Sequence, residues 1–231
     1  MVRDVHAVPA PRALSDRAQI YAALGEPVRL AIADDLITSD RSPGELGARH
    51  LLPTNLVAHH LTVLEQAGLV ERLVSSGDGR RRYVRLSPEA RPYVQVGPQL
   101  PRGPVLFVCT HNSARSQLAA ALWADRVGQR AASAGTRPAV RVHPGAVRAA
   151  AIAGLDLTGA RPRRLAEIGG AEAMFVVTVC DRVHEELAPG PGWWHWSIPD
   201  PVDDPRPDAF DRALAALKGR IDTLARGADH E

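Results

Sequence analysis

Cys109, Asn112, Arg115 and Ser116 fall within one short stretch, CTHNSARS, directly after the apolar run VLFV (105–108). A buried strand that ends at Cys109 and runs into a helix puts this loop at a helix N-terminus, where unpaired backbone N–H groups and the helix dipole attract an anion. Thr110, His111, Asn112, Ser113, Ala114, Arg115 and Ser116 are then expected to cradle a tetrahedral oxyanion. Arg115 offers a planar fork of donors to two oxygens, Asn112 ties the loop backbone, and Ser116 donates to the sulfur. The same positive surroundings are expected to lower the pKa of Cys109, so that it reacts as a thiolate. A lone C-x5-R spacing also fits an inert buried cysteine. The preceding strand, the asparagine, the serine after the arginine and the amphipathic helix behind them favour the nucleophile.

The other thiol, Cys180, lies 71 positions on and follows FVVTV (175–179). Two cysteines so far apart suit a reducing compartment, in which a thiol is more often catalytic, metal-binding or merely buried than part of a structural disulfide. The N-terminal MVRDVHAVPAPRAL has no continuous apolar stretch, and no run approaches the roughly 20 apolar residues of a membrane span. The cytoplasm is the expected location, with no membrane partner. At 231 residues, 45% apolar and 23% charged, the chain can build one large core or two small ones. Its net charge of +2 is too small for nucleic-acid binding by bulk electrostatics, which leaves only local clusters to make that case.

Two patterns of elements must position these residues, separated by VQVGPQLPRGP (94–104), whose prolines and glycines read as a linker. Before it, apolar residues recur at helical spacing in 18–37, 42–51 and 54–70, with Gly68 as a helix stop, followed by a strand (70–74), a turn (75–79) and a strand (80–86). A first helix is expected at 15–24 and a short last one at 88–95. After the linker, short apolar runs at 105–108, 132–136 and 175–179 alternate with helical segments at 113–127 and 143–153, the signature of parallel strands with helical crossovers. In AFDRALAALKGRIDTLA (209–225), Phe210, Leu214, Leu217, Ile221 and Leu224 share one face of a closing helix. The expected division is a tail at 1–14, a first domain at 15–93, a linker at 94–103 and a second domain at 104–231.

The segment between about residues 15 and 90 resembles the ArsR-type winged-helix repressors. ALGEPVRLAIADDL and LVAHHLTVLEQAGLVERLVSSGDGRRRYVRL carry the likeness. Two short helices joined by a tight LLP turn give the second a polar leading edge, Thr54, Asn55 and His59, able to enter a major groove, with Leu56, Leu61 and Leu64 holding it to the domain. Arg80, Arg81 and Arg82 follow the wing tip and could clamp phosphates, or form an ordinary solvated edge. The resemblance implies double-stranded operator DNA as a partner and a homodimer as the binding form. Many members of that family sense metals through a Cys-x-Cys site. Here the corresponding SPGELGA (42–48) holds no thiol, and no metal site is expected.

From about Gly103 to Ala225 the chain resembles the low-molecular-weight tyrosine phosphatases and the arsenate reductases that share their fold. CTHNSARS matches their loop at Cys109, Asn112, Arg115 and Ser116, while SAGT (133–136) and IPDP (198–201) match two further motifs. By that resemblance Asp200 is the general acid. Read as residues alone, Asp200 is also a plain turn residue before proline, and Asp203, Asp204 and Asp208 stand nearby. A phosphatase resolves its cysteinyl adduct with water, whereas an arsenate reductase needs a second thiol. Cys180 matches the first cysteine of the reductase relay and Leu187 stands where the second would be. Either Cys180 resolves directly, or an external thiol does: mycothiol, glutathione with glutaredoxin, or thioredoxin. The other reading of Cys180 is a small buried hydrophobe.

The expected architecture is therefore two domains, a mainly α winged helix-turn-helix followed by an α/β three-layer flavodoxin-like parallel sheet of strand order 2-1-3-4. The expected function is a fusion of an arsenic-operon-type regulator with a thiol-dependent arsenate reductase that acts on arsenate or phosphate without a bound cofactor. The alternatives are a regulator that senses an oxyanion without turnover and a protein tyrosine phosphatase.

Overall fold

The computed structural model describes residues 13–94, 100–190 and 192–226. Most of the expected tail and linker lies outside the described residues. The single helical run expected at 18–37 is two helices, α1 (Leu14–Leu24) and α2 (Pro27–Thr38). Gly25, Glu26 and Pro27 divide them. The Glu26 carboxylate caps α2 by accepting the N–H groups of Val28 and Arg29 at 3.1 and 2.9 Å, and Pro27, which has no N–H to satisfy, fits the first turn.

Helix α3 (Pro43–His50) starts in a reciprocal cap: Ser42 Oγ accepts the Glu45 N–H, and the Glu45 carboxylate accepts the Ser42 N–H at 2.7 Å. A left-handed Leu51 (φ 54°) turns the chain into α4 (Thr54–Gln66). Because α4 begins at Thr54, Val57, Leu61 and Leu64 form the buried stripe. Leu56, expected in that stripe, lies off it and is 42% exposed. Strands β1 (Val70–Val74) and β2 (Arg82–Leu86) pair antiparallel. The second strand starts two residues later than expected, since Arg81 N–H bonds the Asp78 carbonyl and still belongs to the turn. The expected helix at 88–95 is a 3-10 turn, Pro88–Tyr93, interrupted by Pro92.

The second half is built on four parallel strands, β3 (Val105–Cys109), β4 (Ala131–Gly135), β5 (Phe175–Thr178) and β6 (Trp194–His195), in the order β4-β3-β5-β6. This is the expected order 2-1-3-4. Helix α5 (Arg115–Val127) packs Leu118, Ala119, Leu122 and Trp123 inward against β3, β4 and α8 (Ala209–Arg226), and α6 (Pro144–Ile152) packs on α5 and α8. Helix α7 (Asp181–Leu187) lies on β3 and β5. At seven residues α7 is too short to show a period in sequence, and β6 is shorter still.

Each half has its own apolar core, and a polar seam joins them. Asp40 is fully buried there, where its carboxylate accepts from Arg85, Arg220 and the Ser197 N–H. Burial disfavours its charge, yet Arg220 and Arg85 outweigh that and hold the carboxyl at about 2. The Trp196 indole N–H donates to the Thr38 carbonyl at 2.9 Å. The chain continues through Glu45 Oε1 to His184 Nε2 (2.9 Å), His184 Nδ1 to Thr178 Oγ1 (3.0 Å), Thr178 Oγ1 to His195 Nδ1 (2.9 Å) and His195 Nε2 to Asp181 Oδ1 (3.0 Å). It ends on the β1–β2 turn, where the Ser76 N–H and hydroxyl donate to Asp181 Oδ2 at 2.7 and 3.0 Å.

Candidate active site

Strand β3 is buried along its whole length and delivers Cys109 to the carboxyl edge of the sheet, where ligands of open α/β sheets bind. The loop that follows is fixed from outside. The carbonyls of Cys109, Thr110, His111 and Ser113 accept the N–H groups of Thr136, Arg137, Ala139 and His143 at 3.3, 2.9, 2.9 and 2.8 Å. Amides rather than carbonyls are thereby left to the inner side, and the Asn112 N–H lies 3.1 Å from the Cys109 sulfur. Asn112 adopts φ 48°, and its side chain spans the loop by donating to Ser116 Oγ at 2.8 Å and accepting the Arg163 N–H at 2.8 Å. Ser116 Oγ is 3.0 Å from Cys109 Sγ. Gly135, the glycine of SAGT, is needed because a Cβ there would lie 2.6 Å from the Thr110 carbonyl.

Thr110, Asn112, Ala114, Arg115 and Ser116 are buried around the sulfur, whereas His111 is exposed and Ser113 half-buried. The His111 and Ser113 side chains border a separate cavity on the outer side of the loop, with Arg141 and His143. The cavity that holds Arg115 measures about 310 Å³ and includes Thr110, Cys180, Arg182, Asp200 and Ser76. No aromatic side chain lines it.

Arg115 donates to the Ile198 carbonyl at 3.0 Å and forms an ion pair with Asp200. The expected lowering of the Cys109 pKa is not found. Burial pushes the thiol up, and Arg115 and the Ser116 hydrogen bond, which act in the opposite direction, do not overcome it. The physical reason is the complete burial of the sulfur, which the sequence pattern underweighted against the pull of Arg115. Of the other three aspartates, Asp203 and Asp204 border the cavity, and Asp204 is committed to Arg206 at 2.9 Å, whereas Asp208 is not among its lining.

Cys180 follows β5, the neighbour of β3. The register Val108↔Thr178 sets Val179 level with Cys109 and Cys180 level with Thr110, whose hydroxyl is 3.3 Å from the Cys180 sulfur. Both thiols are free and buried. Cys180 thus stands one residue further beyond the sheet edge than Cys109, since β3 includes Cys109 while β5 ends at Thr178. Of the residues expected to contact DNA, Thr54, Asn55 and His59 are exposed on α4, and Arg80, Arg81 and Arg82 are exposed on the hairpin, with Arg82 donating to the Gly79 carbonyl. They lie apart from the cavity. Ser76, Arg182 and Asp181 belong to it or support it and carry no sequence signal, because Ser76 comes from the other half of the chain.

Residues 104–231 match the low molecular weight phosphotyrosine protein phosphatase family, and the chain belongs to that family. Among solved structures it is similar to an arsenate reductase from Archaeoglobus fulgidus DSM 4304, with 30% identity over 53% of this chain and 98% of that one, and a TM-score of 0.44. It is also similar to the thioredoxin-dependent arsenate reductase of Corynebacterium glutamicum, with 27% identity over 57% of this chain and 64% of that one, and a TM-score of 0.45. The tyrosine phosphatase Wzb from Escherichia coli K30 in complex with sulphate gives 23% identity over 53% and 96%, and a TM-score of 0.46. No curated protein matches the chain. Among the described residues, no helix is long and apolar enough to cross a membrane.

Proposed function

We propose that this protein is a thiol-dependent arsenate reductase joined to a DNA-binding regulator, with the regulator at about 15–93 and the enzyme at about 104–231. The observation that carries the enzymatic reading is the second thiol: Cys180 borders the same cavity as Arg115, with its sulfur 3.3 Å from the hydroxyl of the residue after Cys109. A phosphatase has no use for it. The polar, ring-free lining also suits a bare inorganic oxyanion better than an aryl phosphate.

In this mechanism arsenate displaces Asp200 from Arg115, which restores an unmatched positive charge beside Cys109 and favours its thiolate. The thiol proton of Cys109 passes to the released Asp200 carboxylate, the sulfur attacks arsenic, and one oxygen leaves as water with that proton, giving a Cys109–S–As(V) adduct. A second thiolate then attacks the Cys109 sulfur. The S–S bond forms, the S–As bond breaks, and its electron pair reduces As(V) to arsenite. Cys180 is that second thiol, and an external thiol, mycothiol, glutathione with glutaredoxin, or thioredoxin, regenerates the dithiol. Thiol-dependent arsenate reduction by the wild type, absent in Cys109→Ser, is the expected result. Hydrolysis of an aryl phosphate without thiol, and no arsenite with any donor, would instead identify a phosphatase.

The regulator reading rests on the order α3, LLP turn, α4 and hairpin, with Thr54, Asn55 and His59 exposed on the leading edge of α4. A homodimer on an inverted repeat is the binding form expected. Salt-dependent binding to duplex DNA in a gel-shift or anisotropy titration tests it, and no binding at low salt would defeat it.

A further inference from the structure

The turn that joins β1 and β2 belongs to the first half of the chain, yet it stands on the rim of the oxyanion cavity, with Ser76 in the lining beside Cys180, Arg182 and Arg115. It is clamped there from several directions. Besides the two Ser76 bonds to Asp181, Ser75 Oγ donates to Glu185 Oε1 at 2.7 Å, the Asp78 N–H donates to Glu185 Oε2 at 2.8 Å, and the Tyr83 hydroxyl reaches Glu185 Oε1 at 3.3 Å. Gly77 is packed so closely on the start of α7 that a Cβ would lie 2.9 Å from the Arg182 backbone nitrogen and Cα and 2.5 Å from Glu185 Oε2. No side chain fits between turn and helix.

From this placement we propose that the 75–78 turn determines substrate class: docked on α7, it forms a wall that admits a free inorganic oxyanion and excludes a phosphorylated side chain carried on a polypeptide. A phosphotyrosyl segment must bring its flanking main chain across the cavity rim, and the turn occupies one side of that rim while Asp203 and Asp204 line the cavity without offering a ring to stack on. A bare tetrahedral anion brings no flanking chain. Specificity of this kind comes from a built-in obstruction and not from added contacts to the preferred ligand. The proposal rests on the oxyanion reading of the site, and it identifies a selectivity element supplied by the half of the chain outside the matched family.

The test uses the full chain and the rate of Cys109 alkylation by iodoacetamide, mapped by mass spectrometry, with inorganic phosphate or a short phosphotyrosyl peptide as protecting ligand. Gly77→Val dislodges the turn by overpacking, and Glu185→Ala releases it by deleting its acceptor. Phosphate is expected to protect wild type and both variants alike, while protection by the peptide, weak in wild type, strengthens by about tenfold or more in both variants. Hydrogen exchange at 75–78 reports release of the turn. The proposal is overturned if the peptide protects wild type as well as phosphate does, or if released turns leave the ratio unchanged. It is equally overturned if the turn stays protected from exchange in both variants, because the clamp is then not as described. Arsenate reduction measured on the same proteins separates the two readings. A shifted ratio without reduction defeats the reductase and keeps the wall, whereas reduction with an unshifted ratio defeats the wall alone. Phosphate that fails to protect Cys109 at all removes the oxyanion site on which both depend.

Discussion

Arg115 and Asp200 form an ion pair beside the 109–116 loop, so the guanidinium proposed to hold an oxyanion is also held by a carboxylate. Burial keeps the Cys109 thiol above its ordinary range, and the opposing pull of Arg115, shared with Asp200, does not overcome it. Asp200→Asn keeps an acceptor for the Val202 N–H but leaves Arg115 unmatched. The midpoint of the pH dependence of Cys109 alkylation should move down by about one unit in this variant. Turnover of arsenate should fall, since the proton donor to the departing oxygen is gone. A midpoint that stays put or rises contradicts the account.

Cys180 is tested without any external thiol. Wild type treated with arsenate should yield one equivalent of arsenite and a Cys109–Cys180 disulfide visible in a peptide map. Cys180→Ala should stop at the arsenic adduct, with less than about a tenth of the arsenite. Undiminished steady-state turnover by Cys180→Ala with an external thiol would assign resolution to that thiol.

Asp40 and Glu45 make the seam between the halves sensitive to acid. Burial opposes the charge of each, but Arg220 and Arg85 around Asp40, and His184 and the Ser42 N–H around Glu45, hold both near 2 against ordinary values of 3.8 and 4.5. Folded, both groups bind protons more weakly than in the unfolded chain. The stability they supply is complete above about pH 4.5 and is lost as pH falls toward 2. Asp40→Ala should cost about 3–5 kcal/mol at neutral pH, because Arg220 is left buried without its carboxylate, and should flatten the acid limb. Urea midpoints at a series of pH values measure both effects, and a loss under about 1 kcal/mol would show that the seam does not bear on stability.

On DNA, Arg81→Ala should weaken binding about equally for all duplex sequences and reduce the salt slope by roughly one unit, as expected of a phosphate contact. A loss confined to one sequence would mean that Arg81 reads bases.

The 109–116 loop is legible in the sequence because the strand, the loop and the helix that shape it follow one another from Val105 to Val127, and the glycine of SAGT answers a contact with the neighbouring strand end. The alternation of apolar runs and helices indicates a parallel α/β sheet, while the order 2-1-3-4 comes from the flavodoxin-like fold and not from any local pattern. The pKa of Cys109 departs from expectation because the loop, α5 and the neighbouring strand bury the sulfur completely, a desolvation that the local motif does not report, and the Arg115–Asp200 pair spans 85 positions. Ser76, Asp181, Glu45 and His184 were invisible for the same reason: their bonds span 105 and 139 positions, between segments whose periodicities are unrelated. Leu56 shows a smaller error: the helix starts at Thr54 as expected, but Leu56 stands five residues before Leu61 and so falls off the stripe of Val57, Leu61 and Leu64.

The buried carboxylate of Asp40 also orders events during synthesis. Its partners Ser197 and Arg220 leave the ribosome well over 100 residues after Asp40, whereas Arg85 follows it closely. Domains generally fold as units in the order they emerge. Here the first half can build its own core as it emerges, but its Asp40 stays wet and the Thr38 carbonyl lacks the Trp196 indole until residues 196–220 follow. A ribosome stalled before residue 220 should therefore hold a nascent chain in which the two halves are not yet sealed against each other.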